Sequence, residues 1–340
     1  MLESLEPLAR MIRESRERVA ENARAIREGG SAPEGAQEKT LVLKVGKRDL
    51  GFTVCAVDGG LLADRFVGSD IAVRRSVAVS FAYGNSKLGT VRHHPKKFPE
   101  TEVGFMSGLD EHDSLVFRSL FRLQGEIAVA LEAVEKFKPD YLLLDGSIVL
   151  LGSDRPGDGS PLTKDYDGLL KSYRELYRKC ESSGCQLVGV IKDSRGKRLA
   201  DALRERLLVD VSDIVLADAL LDEGERTCAL RYSEDASKHP VLKSLGEWAD
   251  KMRIFYMKSS ASDSPLRIEF IQSGKPADEI ASDICALCSI SKAFAYPAAL
   301  IEADMCAALD PLEMEKIKRS LFVLTGGASR PLRRAERPFR

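Results

Sequence analysis

The stretch that decides the fold is Val54-Cys55-Ala56-Val57-Asp58-Gly59-Gly60. Apolar residues run from Phe52 to Val57 and stop at a carboxylate followed by two glycines. A run of this kind reads as a buried strand whose C-terminal end carries an acid into a turn. The design recurs at Tyr141-Leu142-Leu143-Leu144-Asp145-Gly146-Ser147. Two buried strands that each end in Asp-Gly can set two carboxylates side by side at one edge of a sheet. The C-terminal strand edge is where open α/β sheets hold ligands. The pair Asp58 and Asp145 therefore organises the reading of the whole chain as an α/β fold.

Between the two strands lies the longest helical signal, from Asp110 to Lys138 and stopped by Pro139. Val116, Leu120, Leu123, Ile127, Leu131 and Val134 recur at helical spacing. Glu126 flanks that apolar stripe, whereas Glu132 falls on the opposite side. Glu126 is thus the acid of this helix best placed to lean toward the sheet. The structural alternative is a Glu126 paired with Arg122 one turn back.

Further strands are predicted at Leu41–Val45, Ile71–Ala82, Cys185–Ile191, Arg253–Met257 and Leu266–Ile271, the last two as an antiparallel pair. Residues 84–108 are polar and contain His93-His94-Pro95-Lys96-Lys97, which reads as a loop or irregular hairpin. Adjacent histidines in an extended segment point opposite ways, which argues against a shared metal. Residues 152–168 are rich in Gly, Pro, Asp and Ser and read as a surface loop. Helices are expected at Gly168–Cys180, Arg198–Leu207, Ser212–Leu220, Pro276–Ser289, from Tyr296-Pro297 to about Leu309, and at Leu312–Leu321. Residues 1–38 form a helical arm and linker, broken at Gly29-Gly30-Ser31; the arm either packs on its own domain or contacts a partner. Residues 39–325 form the main domain. Residues 326–340 form a basic tail holding Arg330, Arg333, Arg334, Arg337 and Arg340, read as disordered.

Composition bounds the function. The chain has 340 residues, 44% hydrophobic and 30% charged, as in an ordinary globular protein. A net charge of -1 gives no global attraction to nucleic acid, so a DNA surface would have to be a local basic patch. One such patch is Lys192, Arg195, Lys197 and Arg198, just after a strand; solvated helix-start charges are the plainer explanation. No apolar run approaches the roughly 20 residues of a membrane span, and residues 1–28 have no signal-peptide core, so a cytoplasmic location is expected. Seven cysteines, several inside apolar runs, suit buried free thiols. Cys285 and Cys288 are spaced like half a zinc site, but no second pair follows.

Asp58, Glu126 and Asp145, from two strand ends and a helix, could form a cage of hard oxygen ligands suited to Mg²⁺ or Mn²⁺ rather than zinc. Two such ions about 3.5–4 Å apart can activate a water and stabilise a leaving oxygen in phosphodiester cleavage. Taken alone, Asp-Gly after a strand also fits a structural turn, or the phosphate loops of actin-like and sugar-kinase ATPases.

At these residues the chain resembles the NurA nucleases. The matching pieces are Ala56-Val57-Asp58-Gly59-Gly60, Phe121-Arg122-Leu123-Gln124-Gly125-Glu126, Leu143-Leu144-Asp145-Gly146-Ser147, Val190-Ile191-Lys192-Asp193-Ser194, and Ala295-Tyr296-Pro297 followed by a helix. They occur in the family's order and span residues from about 40 to 325. The resemblance implies an RNase H-like mixed sheet flanked by helices, with helical additions at both termini. It implies a Mn²⁺-dependent deoxyribonuclease, with Mg²⁺ as a substitute and two ions in the site. It also implies 5′ to 3′ exonuclease and single-stranded endonuclease action, a homodimer, and docking on a hexameric HerA ATPase in end resection and recombinational repair.

By that resemblance Asp58, Glu126 and Asp145 hold metal, Lys192 holds the scissile phosphate, and Tyr296 positions DNA or a water. The family often has a His about two turns after the Tyr; here Asp304 stands eight residues past Tyr296. Asp304 can bind metal through oxygen but cannot act as an imidazolium acid near neutral pH. Two other functions compete with the nuclease. An actin-like ATPase would use Asp58 and Asp145 around Mg-ATP and needs a second lobe with a Gly-rich loop, for which Gly326-Gly327 is a poor candidate. A catalytically quiet adaptor would guide DNA to the translocase. No G-x-x-x-x-G-K-[ST] motif is present.

Overall fold

The computed structural model describes residues 2–330. Along the chain it forms α1 (Leu2–Gly29), β1 (Val42–Lys44), β2 (Thr53–Phe66), β3 (Ser69–Gly84), β4 (Lys87–His94) and β5 (Glu102–Ser107). There follow α2 (Glu111–Phe137), β6 (Tyr141–Asp145), α3 (Thr163–Ser183), β7 (Gln186–Ile191), α4 (Arg198–Ala202) and α5 (Asp213–Leu220). The remainder is β8 (Glu225–Thr227), β9 (Leu230–Arg231), β10 (Met252–Lys258), β11 (Leu266–Ile271), α6 (Ala277–Leu287), α7 (Ala298–Ala307) and α8 (Pro311–Leu324).

One sheet runs in the order β1-β8-β10-β11-β7-β6-β2-β3-β4, with β5 and β9 paired at its margins. The β2, β3 and β4 strands are an antiparallel meander. The β6 and β7 strands then add in parallel on the other side of β2, each after a crossover helix. That order, three antiparallel strands followed by two parallel ones, is the RNase H-like core. Antiparallel β11 and β10 extend it beyond β7, and the predicted β10–β11 pair is present.

Period-two burial divides each central strand between the two faces of the sheet. Cys55, Val57, Leu142, Leu144 and Leu187 pack under α2 and α3. Val54, Ala56, Tyr141, Leu143, Val188 and Val190 pack against α6 and α7. A further cluster seats Val19, Ala23 and Ile26 of α1 on Leu216 and Leu220 of α5. The arm therefore packs on its own chain through its second half, while Leu5, Leu8, Met11 and Ile12 remain exposed. Among the described residues no helix is long and apolar enough to cross a membrane.

The α2 helix matches its sequence signal closely. The Asp110 side chain accepts from the Asp113 N–H as N-cap, and Lys138 closes the helix in the left-handed conformation before Pro139. Of the two alternatives for residues 84–108, the irregular hairpin holds: β4 pairs antiparallel with β3 with a register shift at Ala82/Tyr83, and β5 adds to β3 as well, both polar because they lie at the exposed sheet margin. One expectation is corrected. The β2 strand does not end at Asp58 but runs on to Phe66, paired throughout with β3. What ends there is its parallel pairing with β6, whose last partners are Val57 and Leu144.

Gly59 and Gly60 therefore serve close approach rather than a turn. A Cβ on Gly59 would lie 2.6 Å from Glu126 Oε1, and one on Gly60 would lie 2.1 Å from the Ala307 carbonyl oxygen. The tail expectation falls mostly on residues 331–340, outside the described part. Within the described part, the Val67 N–H donates to the Arg330 carbonyl.

The Gly60 contact is with backbone, which cannot swing aside. Gly60→Ala is expected to destabilise the fold by about 1–3 kcal/mol in urea unfolding. Gly157→Ala, which has open space around it, serves as the neutral control. Equal midpoints for both variants would contradict the packing described.

Candidate active site

Asp58 and Asp145 occupy the same level on adjacent strands. The parallel register pairs Val57 with Leu144, so each acid is the next residue on its strand. Neighbouring strands lie about 4.8 Å apart, so two carboxylates here sense each other strongly. Beyond Asp145 the β6 chain turns away at Gly146, whose φ of 131° is open to glycine. The departure leaves a notch beside the continuing β2 strand. Glu126 enters this notch from α2, on the side that Gly59 keeps clear.

The electrostatics follow from this crowding. Asp58 is pushed up to about 7, first by burial and then by the charges of Asp145 and Asp304. The Gly59 N–H, which donates to Asp58 Oδ1 at 2.7 Å, pulls the other way. Glu126 is pushed up to about 8 by burial, with Arg122 opposing and Asp58 and Asp145 adding to the rise. Arg122 is ion-paired with Glu126 one helical turn away. Both sequence readings of Glu126 thus hold at once: it pairs with Arg122 and faces the two aspartates.

Two further predicted residues converge on Asp145. Lys192, the residue after β7, sets its Nζ 3.1 Å from Asp145 Oδ2. Tyr296, buried ahead of α7, places its hydroxyl 2.9 Å from Asp145 Oδ1 and 3.0 Å from the Val190 carbonyl. Burial and the adjacent Asp145 carboxylate raise the phenol well above its ordinary value, so it stays a donor. Lys192 Nζ also lies 4.3 Å from the centre of the Tyr296 ring. Asp304 is exposed on α7 and reaches Asp58 only through its charge.

The donor set suits a hard divalent cation. Three carboxylates and a nearby fourth face one notch, and no Lys or Arg ion pair engages Asp58 among the described residues. Crowded carboxyls such as Asp58 and Glu126, whose proton affinity is raised, are relieved by a cation as well as by a proton. The acids do not close as a single tight cage: among the described residues, only His93, Glu302 and Cys306 bring ligand atoms within 4.8 Å of one another as a set. A wider spread is compatible with two ions about 3.5–4 Å apart, each with ligands of its own.

Behind the acids lies a cleft of about 600 Å³ bordered by Arg122, Asp145, Arg195, Tyr173, Arg267 and Glu269. Of the predicted basic patch, Lys197 is paired with Asp210 and Arg198 with Glu234. Arg195 is exposed at the cleft, and among the described residues it makes no ion pair. A buried relay that the sequence reading missed supports this wall. Ser147 Oγ donates to Glu269 Oε2 at 2.6 Å, and Arg267 Nε donates to Glu269 Oε1 at 2.8 Å. Tyr256 donates to Asp213 at 2.6 Å, and Asp213 accepts from the Leu199 and Ala200 N–H groups. The signal was Arg267-x-Glu269 inside an apolar strand, where period two puts both side chains on one face.

The sequence profile of the NurA domain matches residues 52–309, well over half of the chain. The chain belongs to the NurA family. The NurA match contains Asp58, Glu126, Asp145, Lys192, Tyr296 and Asp304, while α1 and α8 lie outside it. Solved NurA structures share the fold. The chain is similar to the NurA nuclease from Sulfolobus solfataricus at 19% identity and a TM-score of 0.57, covering 84% of this chain and 88% of that one. It is similar to NurA bound to dAMP and manganese at 13% identity and a TM-score of 0.56, covering 95% and 97%. NurA with manganese gives 13% identity and a TM-score of 0.55, covering 96% and 99%. No curated protein matches the chain by sequence.

The carboxyl shifts set a pH dependence. Asp58 and Glu126 rise from 3.8 and 4.5 to about 7 and about 8 on folding without metal. Through that window the folded chain binds more protons than the unfolded one. Their stabilising contribution is therefore complete below the lower values and is lost as pH rises through the upper ones. In chelator, the melting temperature of the wild type should fall more between about pH 5 and about pH 8 than that of Asp58→Asn/Glu126→Gln. Parallel curves would show that the two carboxyls titrate normally.

Proposed function

We propose that this protein is a DNA nuclease that hydrolyses phosphodiester bonds with divalent cations, Mn²⁺ or Mg²⁺, held by Asp58, Glu126 and Asp145. The observation that carries the reading is the matched level of Asp58 and Asp145 on adjacent strands, with Glu126 brought in over Gly59. When bound, the ions supply charge neutralisation and water activation, the usual chemistry of paired hard cations at a phosphodiester. The similar NurA structures named for a nuclease, for manganese and for dAMP support this reading. A deoxynucleoside monophosphate is what an exonuclease releases.

The chain's own residues have separable tasks. Tyr296 fixes the Asp145 carboxylate through its hydroxyl, so that one oxygen keeps a set direction. Lys192 neutralises Asp145 in the absence of substrate and is close enough to turn to a phosphate oxygen. Arg195, exposed at the cleft mouth, offers a further phosphate contact. Arg122 pairs with Glu126 and opposes, without cancelling, the rise in its proton affinity that burial causes. Asp304 would add a carboxylate at the outer side of the site, where it already raises Asp58.

The finer reading follows the family: 5′ to 3′ exonuclease and single-stranded endonuclease action, a homodimer, and work with a hexameric HerA-type ATPase in DNA end resection. Exposed apolar side chains support an assembled state. They are Leu5, Leu8, Met11 and Ile12 on α1, and Leu312, Phe322, Val323 and Leu324 on α8. The ATPase alternative gains nothing comparable. The described strands form one sheet, and Gly326-Gly327 merely close α8.

The test is incubation of the full chain with 5′-labelled single-stranded DNA, with Mn²⁺ or with chelator. Metal-dependent nucleotide release is expected, and Asp58→Asn and Asp145→Asn should each lower it at least about 1000-fold while the variants stay folded, with melting temperatures in chelator no lower than wild type. Lys192→Ala should slow cleavage and reduce the salt dependence of binding by about 0.7 in log–log slope, one phosphate contact. Cleavage in chelator, or full activity in either Asn variant, would overturn the assignment.

A further inference from the structure

The α7 helix presents a second donor set on its far side from the acids. Glu302 and Cys306 are one helical turn apart and face β4, while Asp304 lies across the helix axis from both. His93 meets them from β4. Its register partner on β3 is Val79, which packs on the α6 and α7 face. His94 pairs with Ala78 and points to the other face, where it contacts Glu132 of α2.

The three groups lie close enough together to share one ion. His93 Nε2 lies 3.1 Å from Glu302 Oε1, and Cys306 Sγ lies 3.6 Å from the same oxygen. One ligand atom from each residue falls within 4.8 Å of the other two. Cys306 is buried, and His93 and Glu302 are largely so, with 16% and 24% of their side chains exposed. A single exposed cation, Lys97, now answers the carboxylate, with Nζ 3.1 Å from Glu302 Oε1.

We propose that His93, Glu302 and Cys306 bind a zinc ion, distinct from the cations of the acid notch. The donor types decide the metal. Thiolate, imidazole and carboxylate together favour Zn²⁺, whereas an all-oxygen set favours Mg²⁺ or Mn²⁺. Three protein ligands leave one tetrahedral position for water. Binding displaces Lys97 to solvent, where its long side chain already largely lies, and releases the Cys306 thiol proton to the buffer.

The consequence is structural. The ion ties the edge strand β4 to α7, and α7 is the helix that follows Tyr296 and carries Asp304. Fixing its rotation against the sheet fixes both residues relative to Asp58 and Asp145. Neither the acid notch nor its chemistry is needed for the ion to bind, so this inference stands apart from the nuclease reading.

Zinc and cobalt binding to the full chain test it, with Mg²⁺ in excess to occupy the acid notch. Wild type should retain one equivalent of Zn²⁺ after dialysis. With Co²⁺ it should show a thiolate-to-cobalt charge-transfer band in the near ultraviolet. Asp58→Asn/Asp145→Asn should keep both signals. Cys306→Ser should lose the band, and His93→Gln should weaken Zn²⁺ binding roughly tenfold or more. Lys97→Ala, which removes a competing charge, should tighten it. Zinc should also raise the melting temperature of wild type but not of Cys306→Ser. Absence of retained zinc in the folded wild type, or a cobalt band that survives Cys306→Ser, would overturn the proposal.

Discussion

Two half-buried carboxylates set at the same level of adjacent parallel strands crowd like charges together, and the rest of the fold is shaped to hold them there. Asp58 and Asp145 follow the last paired residues of β2 and β6. Burial first, and then the charge of Asp145, lift Asp58 to about 7. The architecture supplies what the repulsion requires: Tyr296 and Lys192 on Asp145, Arg122 on Glu126, and a notch open to a cation.

The layers on the two sides of the sheet have different duties. The α2 helix, in close contact over glycine, brings Glu126 down from one face. From the other face α7 and the Tyr296 turn close on Asp145. Behind the notch, the Ser147–Glu269–Arg267 relay and the Asp213 cap stiffen the wall on which Arg195 stands. For the proposed nuclease, rigidity would matter because metal-assisted phosphodiester chemistry tolerates little slack in ligand positions. The same helix α7 sets Glu302 and Cys306 against His93 of β4 on its other side.

Much of this was legible in the residues. Apolar runs ending in Asp gave the two central strands, and helical spacing gave α2 with both of its ends. Glu126 could be chosen over Glu132 by its place beside the apolar stripe, and Glu132 is indeed exposed and paired with His94. The motif order led to the family. What stayed hidden was tertiary. Gly59-Gly60 reads locally as a turn, and only the approach of Glu126 and Ala307 reveals it as strand. The exposed strands β4 and β5 lack the apolar alternation that marks a half-buried strand. The basic run after β7 reads as a phosphate patch, yet Lys197 and Arg198 are engaged by distant Asp210 and Glu234. His93 could not be tied to Glu302 and Cys306 because more than two hundred residues separate them.

The central claim is that the acids of β2, β6 and α2 share divalent cations. Crystals soaked in Mn²⁺ and measured at the manganese absorption edge test it most directly. The account predicts anomalous peaks within about 2–2.5 Å of carboxylate oxygens of Asp58 and Asp145, with Glu126 oxygens at the same ions. Peaks confined to other surface carboxylates, with the notch free of manganese at saturating concentration, would contradict it.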